Sequence, residues 1–237
     1  MLQPASANDF LKLYSKHKGL VEDMPEYWGL KLTGTLFVHE QIARFSPRRV
    51  LEAGAGLSRH FHDRYGKTLD YWMADSSGFY DPDRFARSMK MKPDQTFVDT
   101  LLGDNHADLN DNAFDMTFSV SVMEHVPIEN INGVCKDLYR VTRPGGVTVH
   151  SIDLHYSMGK EQSTRWHDGL LAAGFEPEKP NEVSTDVDLI MGDRGALMLE
   201  PLDVQYLTYT SAKDKWKPLR PVKDRFCTLF VVMQKPG

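Results

Sequence analysis

Cysteine is scarce. Only Cys135 and Cys227 occur in 237 residues, and they lie far apart. Without a CxxC pair, no cysteine-built zinc site is available. A chain this long buries enough apolar surface to fold without disulfide staples, so two lone thiols in an intracellular protein are expected. A basic excess is missing too: 28 Lys and Arg stand against 33 Asp and Glu, leaving a net charge of −5. A protein that grips phosphates usually carries the opposite balance, which disfavours nucleic acid as a partner. No apolar run approaches the roughly 18 residues of a membrane span. Met1 to Leu20 lacks the apolar segment and cleavage site of a signal peptide. The expectation is a soluble, cytoplasmic protein. There is also no internal repeat and no linker rich in Gly, Pro or Ser. This length allows one large domain or two small ones.

What is present alternates short apolar runs with helical stretches, the pattern of βα units around a mostly parallel sheet. Residues 7–45 read as a helical lead-in. Asn8 caps a helix with Phe10, Leu11 and Leu13, and a second helix spans Gly34 to Phe45, with Tyr27-Trp28 between them. Strands are expected at Val50–Ala53, at Leu69–Ala74, within 95–102, at Phe114–Val120 and at Val147–Leu154. Helices should begin at Asp81-Pro82-Asp83, where acids and proline suit a first turn, and after Pro127. In the latter, Ile128, Ile131, Cys135 and Leu138 share one face. A further helix runs from Glu161 to Ala173, with Gly174 just past its end. Beyond it the pattern turns to strands, near 183–191, near 197–209 and from Phe226 to Met233. The chain reads as a single domain: a helical cap over 1–45, a βα core over 46–175 and a β-rich tail over 176–237.

The most informative segment is Val50-Leu51-Glu52-Ala53-Gly54-Ala55-Gly56-Leu57-Ser58. A strand ends, two glycines turn the backbone, and a helix begins. Glycine lets a ligand approach the main chain closely, and ligands of open α/β sheets bind at the carboxyl ends of the strands. The dinucleotide fingerprint needs a third Gly or Ala where Arg59 stands. Glu52 would also repel a pyrophosphate. A nucleoside ligand without phosphates is therefore favoured. Asp75 ends the second strand, 19 residues after Gly56, where a carboxylate can accept both hydroxyls of a ribose.

At these residues the sequence resembles the class I S-adenosylmethionine-dependent methyltransferases, specifically the methyltransferase type 11 group. Gly103-Asp104-Asn105, the stretch Phe114 to Val126 ending Met123-Glu124-His125-Val126, and Arg143-Pro144-Gly145-Gly146 carry the resemblance further, over about 45–175. It implies a Rossmann-like, seven-stranded, mostly parallel sheet, here with an N-terminal helical cap and a β-rich C-terminal tail. It also implies S-adenosylmethionine as cofactor and S-adenosylhomocysteine as product. On this pattern Glu52 and the backbone of Gly54, Ala55 and Gly56 hold the amino-acid end. Asp75 takes the ribose, with Ser76 beside the adenine. Asp104 bonds the adenine amino group and Asn105 offers its backbone, although the acid could equally be Asp108. Ser119 lines the cofactor near its methyl group. Ser58 departs from the pattern, standing where the family often has a third glycine.

Methyl transfer needs alignment more than proton chemistry. A base enters only for a hydroxyl or a protonated amine. His125 is the first candidate base, against a local role at a helix entry; His155, beside Tyr156 after the fifth strand, is the second. Ubiquinone-pathway O-methyltransferases resemble this chain at Glu124-His125, but Ser121 stands in place of their further acid, and no metal is expected. His60-x-His62 reads as a solvated helix start. Tyr27 and Trp28 read as core or as a lid. The basic stretch Lys213 to Arg225 around Trp216 is broken by Asp214 and Asp224 and reads as a solvated loop. The expected activity is O- or N-methylation of a small molecule, and the β-rich tail could supply the edge of a homodimer. A macromolecular acceptor, a non-catalytic S-adenosylmethionine-binding protein and, last, a nicotinamide oxidoreductase are the alternatives.

Overall fold

The computed structural model describes residues 1–5, 7–23, 29–58, 60–90, 96–155, 159–180 and 226–237. Tyr27, Trp28, Arg59, Tyr156, the two strands expected near 183–191 and 197–209, and the basic stretch 213–225 lie outside them.

The core is one sheet. The strands β1 (Leu2–Pro4), β2 (Arg49–Ala53), β3 (Asp70–Asp75), β4 (Thr96–Asp99), β5 (Phe114–Val120), β6 (Thr142–His155) and β8 (Phe226–Gln234) lie in the order β1-β8-β6-β5-β2-β3-β4. A two-residue strand, β7 (Glu176–Pro177), also pairs with β8. From β4 to β6 all pairings are parallel. β8 runs antiparallel to β6, and β1 antiparallel to β8. The order reverses at β2, so the loops after β2 and β5 open a crevice at the carboxyl ends of the strands.

Helices cover both faces. On one lie α1 (Ala7–Lys16), α2 (Lys18–Glu22) and α3 (Gly29–Phe45); there Leu32, Leu36, Phe37 and Val38 join Val147, Val149 and Phe230 in one core. The Phe37 and Phe230 rings stack with centroids 3.9 Å apart, and each buried ring contributes roughly 1.5–3 kcal/mol. On the other face, α6 (Ile131–Val141) and α7 (Gly159–Ala173) set Ile131, Cys135, Leu138 and Trp166 against Ile152, Leu154, Leu229 and Val231. The short α4 (His60–Tyr65) follows β2, and α5 (Pro82–Lys90) follows β3.

Differences from the sequence reading concern the lead-in, where the helix expected from Gly34 already begins at Gly29. The helix expected to be capped by Asn8 already begins at Ala7. Residues 2–4, read as part of a helical cap, form an edge strand instead. Strand pairing with residues 229–231 decides this, and no local pattern records a partner so distant.

Because both faces of β5 are covered, its polar alternates are buried rather than solvated. Thr117 and Ser119 are fully buried. The Ser119 hydroxyl lies 2.8 Å from His150 Nδ1, Thr148 Oγ1 lies 2.5 Å from His150 Nε2, and Thr117 donates to Thr148 at 2.8 Å. Burial drives the His150 pKa down to about 3, so its ring is neutral. The result is a polar seam across β5 and β6 whose members satisfy one another.

His39 performs a similar task between helices. It lies inside α3, almost fully buried, with Nδ1 2.7 Å from the Tyr65 hydroxyl and Nε2 2.6 Å from His60 Nε2. Burial, then the neighbouring His60, lowers its pKa to about 2. The neutral ring ties α3 to α4, the helix that follows the glycine loop. His60, read as solvated, is thus engaged with the interior.

Candidate functional site

The crevice holds a cavity of about 610 Å³, lined by the ends of β2, β3 and β5, by the loops that follow them, and by Lys31 and Thr35 of α3. Six of the residues expected at the site lie in its wall: Glu52, Gly54, Ala55, Gly56, Asp75 and His125. Ser76, Asp104, Asn105 and Ser119 are not among the lining residues. Ser119 is committed to His150 in the buried seam, and its neighbours Val120, Ser121 and Val122 face the cavity. From the turn after β4, Thr100, Leu101 and Leu102 line the wall, whereas Asp104 and Asn105 are exposed beyond it. His155 ends β6, and its side chain lies outside the described residues.

The glycine loop is held by its geometry. Gly54 and Gly56 have φ of +68° and +55°, a region that favours glycine. A Cβ on Gly54 would stand 2.4 Å from Val122 Cγ1, and one on Gly56 would stand 2.9 Å from the Tyr80 hydroxyl. The bare backbone therefore forms part of the wall, with the loop after β5 packed over it.

Two buried carboxyl groups flank the loop. Glu52 accepts the Tyr71 hydroxyl at 2.5 Å. Asp75 accepts the N–H of Gly56 on Oδ2 at 2.6 Å, the N–H of Ser76 on Oδ1 at 2.7 Å and the Tyr80 hydroxyl on Oδ2 at 2.9 Å. Tyr80 follows a 3₁₀ turn, Ser77–Phe79, which is pinned to β4 by Ser77 donating through its N–H and hydroxyl to Asp99. These bonds hold the Asp99 carboxyl below its ordinary range.

Behind the cavity wall, around β5 and β6, the electrostatics differ. Glu124 lies in a short 3₁₀ turn, Met123–His125, with its side chain 12% exposed. It accepts the N–H of Asp153 at 3.4 Å. Burial, then the Asp153 carboxylate, raises its pKa to about 8. Burial also raises that of Asp153, against a hydrogen bond from the Thr228 hydroxyl. His125 Nε2 stands 3.9 Å from Glu124 Oε1, its side chain 80% exposed at the cavity mouth.

The donor set discriminates among ligands. Around the glycine loop the cavity offers carboxylates and backbone, which suit hydroxyl and amine groups and oppose a pyrophosphate. A nucleoside with an amino-acid tail fits there. Sequence reasoning missed Lys31, Thr35 and Tyr80. Only the aromatic pair Phe79-Tyr80 shortly after Asp75 hints at the last of these; the first two depend on how α3 is rotated against the sheet.

Residues 66–150 match the family model described as a methyltransferase domain. No curated protein matches the chain. Among solved structures it is similar to a methyltransferase candidate of Bacillus halodurans, at 14% identity and a TM-score of 0.50, with 84% of this chain and 100% of that one covered. It is similar to a candidate sarcosine dimethylglycine methyltransferase of Galdieria sulphuraria, at 11% identity and a TM-score of 0.54, with 84% of each chain covered. A third is the phosphoethanolamine N-methyltransferase 2 of Haemonchus contortus, in complex with phosphomonomethylethanolamine and S-adenosylhomocysteine. There the identity is 17% and the TM-score 0.50, over 83% of this chain and 52% of that one.

Proposed function

We infer that this chain, which carries a class I methyltransferase domain with S-adenosylmethionine as its cofactor, methylates oxygen or nitrogen of a small molecule. The observation that carries this reading is the cavity itself. It begins on the glycine loop and Asp75 and continues past Val122 to Lys31, Thr35 and His125, so one ligand on the loop leaves room for a second beside it. The wall that α3 contributes at that far end favours an acceptor small enough to enter. The whole chain is read as one domain, working in the cytoplasm. Two of the structural relatives, the candidate sarcosine dimethylglycine methyltransferase and the phosphoethanolamine N-methyltransferase, support a small-molecule acceptor.

The cofactor supplies an activated methyl group on a sulfonium. The protein's part is alignment: effective molarities from positioning are worth roughly 7–11 kcal/mol. Glu52 and the loop backbone hold the amino-acid end, and Asp75 the ribose. Thr100 to Leu102 bound the adenine side, with Asp104, Asn105 and Ser76 around its rim. His125 stands where it can take a proton from a hydroxyl or ammonium acceptor, and His155 is the second candidate.

Calorimetric titration with S-adenosylmethionine, S-adenosylhomocysteine and NAD in parallel is the first test. Micromolar binding of the sulfur nucleosides alone is expected, and binding of NAD alone would overturn the cofactor assignment. Incubation of the protein and labelled S-adenosylmethionine with a cell extract then separates acceptors. Label in the small-molecule fraction supports the reading, and label confined to protein or RNA transfers it to a macromolecular methyltransferase. Tight binding with no transfer to any fraction favours a non-catalytic binding protein.

A further inference from the structure

The three donors on Asp75 leave it nearly full. A carboxylate offers about four lone-pair directions, and Gly56, Ser76 and Tyr80 already take three of them. The two backbone donors are fixed by the loop and the strand end. A ribose that donates through both hydroxyls needs two free directions, one more than remains. The Tyr80 hydroxyl is the only one of the three donors on a side chain. It also stands within 2.9 Å of where a Cβ on Gly56 would be, in the wall of the cavity.

We propose that Tyr80 is a displaceable occupant of the ribose site: its hydroxyl holds Asp75 in the free protein and leaves when a nucleoside enters. This rests on the reading of Asp75 as the ribose acceptor. The segment is built for such a movement. Ser77 is tied to Asp99 on one side, and on the other Asp81 accepts the N–H of Arg84 at 2.9 Å, fixing the start of α5. Tyr80 lies between these anchors in extended backbone, half-buried, with its ring stacked on Phe85 at 5.7 Å. The preceding Phe79 is 70% exposed and also borders the cavity. While Tyr80 is in place, the buried Asp75 carboxylate keeps a side-chain donor beside its two backbone donors. Burial and the Asp75 carboxylate raise the Tyr80 phenol pKa, as expected of a hydroxyl that donates to an anion.

Removing the hydroxyl separates a competitor from a contributor. Tyr80→Phe keeps the ring and its stack on Phe85 while freeing Asp75. By calorimetry it is expected to bind S-adenosylhomocysteine about fivefold tighter than the natural protein, the gain from a charge-assisted bond that no longer has to be broken. In the natural protein, ultraviolet difference titration should show one tyrosine, absent from Tyr80→Phe, ionising at lower pH once S-adenosylhomocysteine is bound. Affinity that is unchanged or weaker in Tyr80→Phe, with Asp75→Ala impaired, overturns the displacement alone. Asp75→Ala binding as tightly as the natural protein overturns the ribose assignment, and the proposal with it.

Discussion

The two ends of the cavity are built on opposite principles. At the glycine loop every buried acid is already engaged: Glu52 with Tyr71, and Asp75 with two backbone donors and Tyr80. Behind the wall at the β5–β6 end, outside the lining itself, Glu124 and Asp153 lie against each other, and both have raised pKa values. The first arrangement prepares a fixed geometry for a constant ligand. The second stores electrostatic cost, because burial disfavours both charged forms. Their supports differ in the same sense. The helix that follows the loop is tied to α3 by His39, kept neutral by burial, whereas near the other end Glu124 is an acid kept largely neutral by burial.

The contrast can be broken most severely at Gly54. Gly54→Ala forces a positive φ on alanine and drives a methyl group into Val122, at a cost of about 4 kcal/mol. Denaturant unfolding should show a loss of this order, and calorimetry the loss of S-adenosylhomocysteine binding. An unaffected protein would mean that the loop moves freely.

The two supports should give opposite pH signatures. Glu124 titrates at about 8 in the folded protein and near its ordinary 4.5 when unfolded. The folded state therefore holds the proton longer, and stability falls as pH rises from 4.5 to 8, by roughly 4 kcal/mol. Denaturation at pH 5 and pH 9 should show this loss, and Glu124→Gln should remove most of it. An equal loss in the variant would place the cost elsewhere. For His39 the sign reverses. Its folded pKa of about 2 lies below the ordinary 6.5, so stability is complete above 6.5 and is lost as pH falls, by about 2 kcal/mol at pH 5. His39→Gln should flatten the curve between pH 7.5 and 5, and a curve of the same slope would clear His39. The smallest effect is at the ribose. Asp75→Ala should weaken S-adenosylhomocysteine about tenfold or more, at about 1.4 kcal/mol per decade, and unchanged calorimetric affinity would discard that role.

The loop end was readable in the sequence because its determinants are local. Val50 to Ser58 is a strand, a turn and a helix start in one stretch, and β5 was placed to the residue by its alternation. The resemblance set Ser119 near the cofactor, and the alternation alone does not test that. It shows that Ser119 and Val120 face opposite ways, but not which of the two layers holds the cavity. The far end was not readable, since Lys31 comes from a helix some 90 residues before His125, and the Glu124 shift exists only once folding buries that side chain, with Asp153 adding to it. β1 shows this limit most plainly, because its three residues become a strand only when β8 arrives.

That last pairing has a kinetic consequence. β6, fourteen residues long, has β5 on one side and β8 on the other, and during synthesis the second partner emerges only after residue 226. Until then one flank of β6 is an open row of amide donors and acceptors, the kind of edge on which chains join one another. Contacts that close over such sequence separations form slowly. The interval before the C-terminal strand docks is therefore when the nascent chain is most exposed to aggregation, and a chain cut short of Phe226 would never leave it.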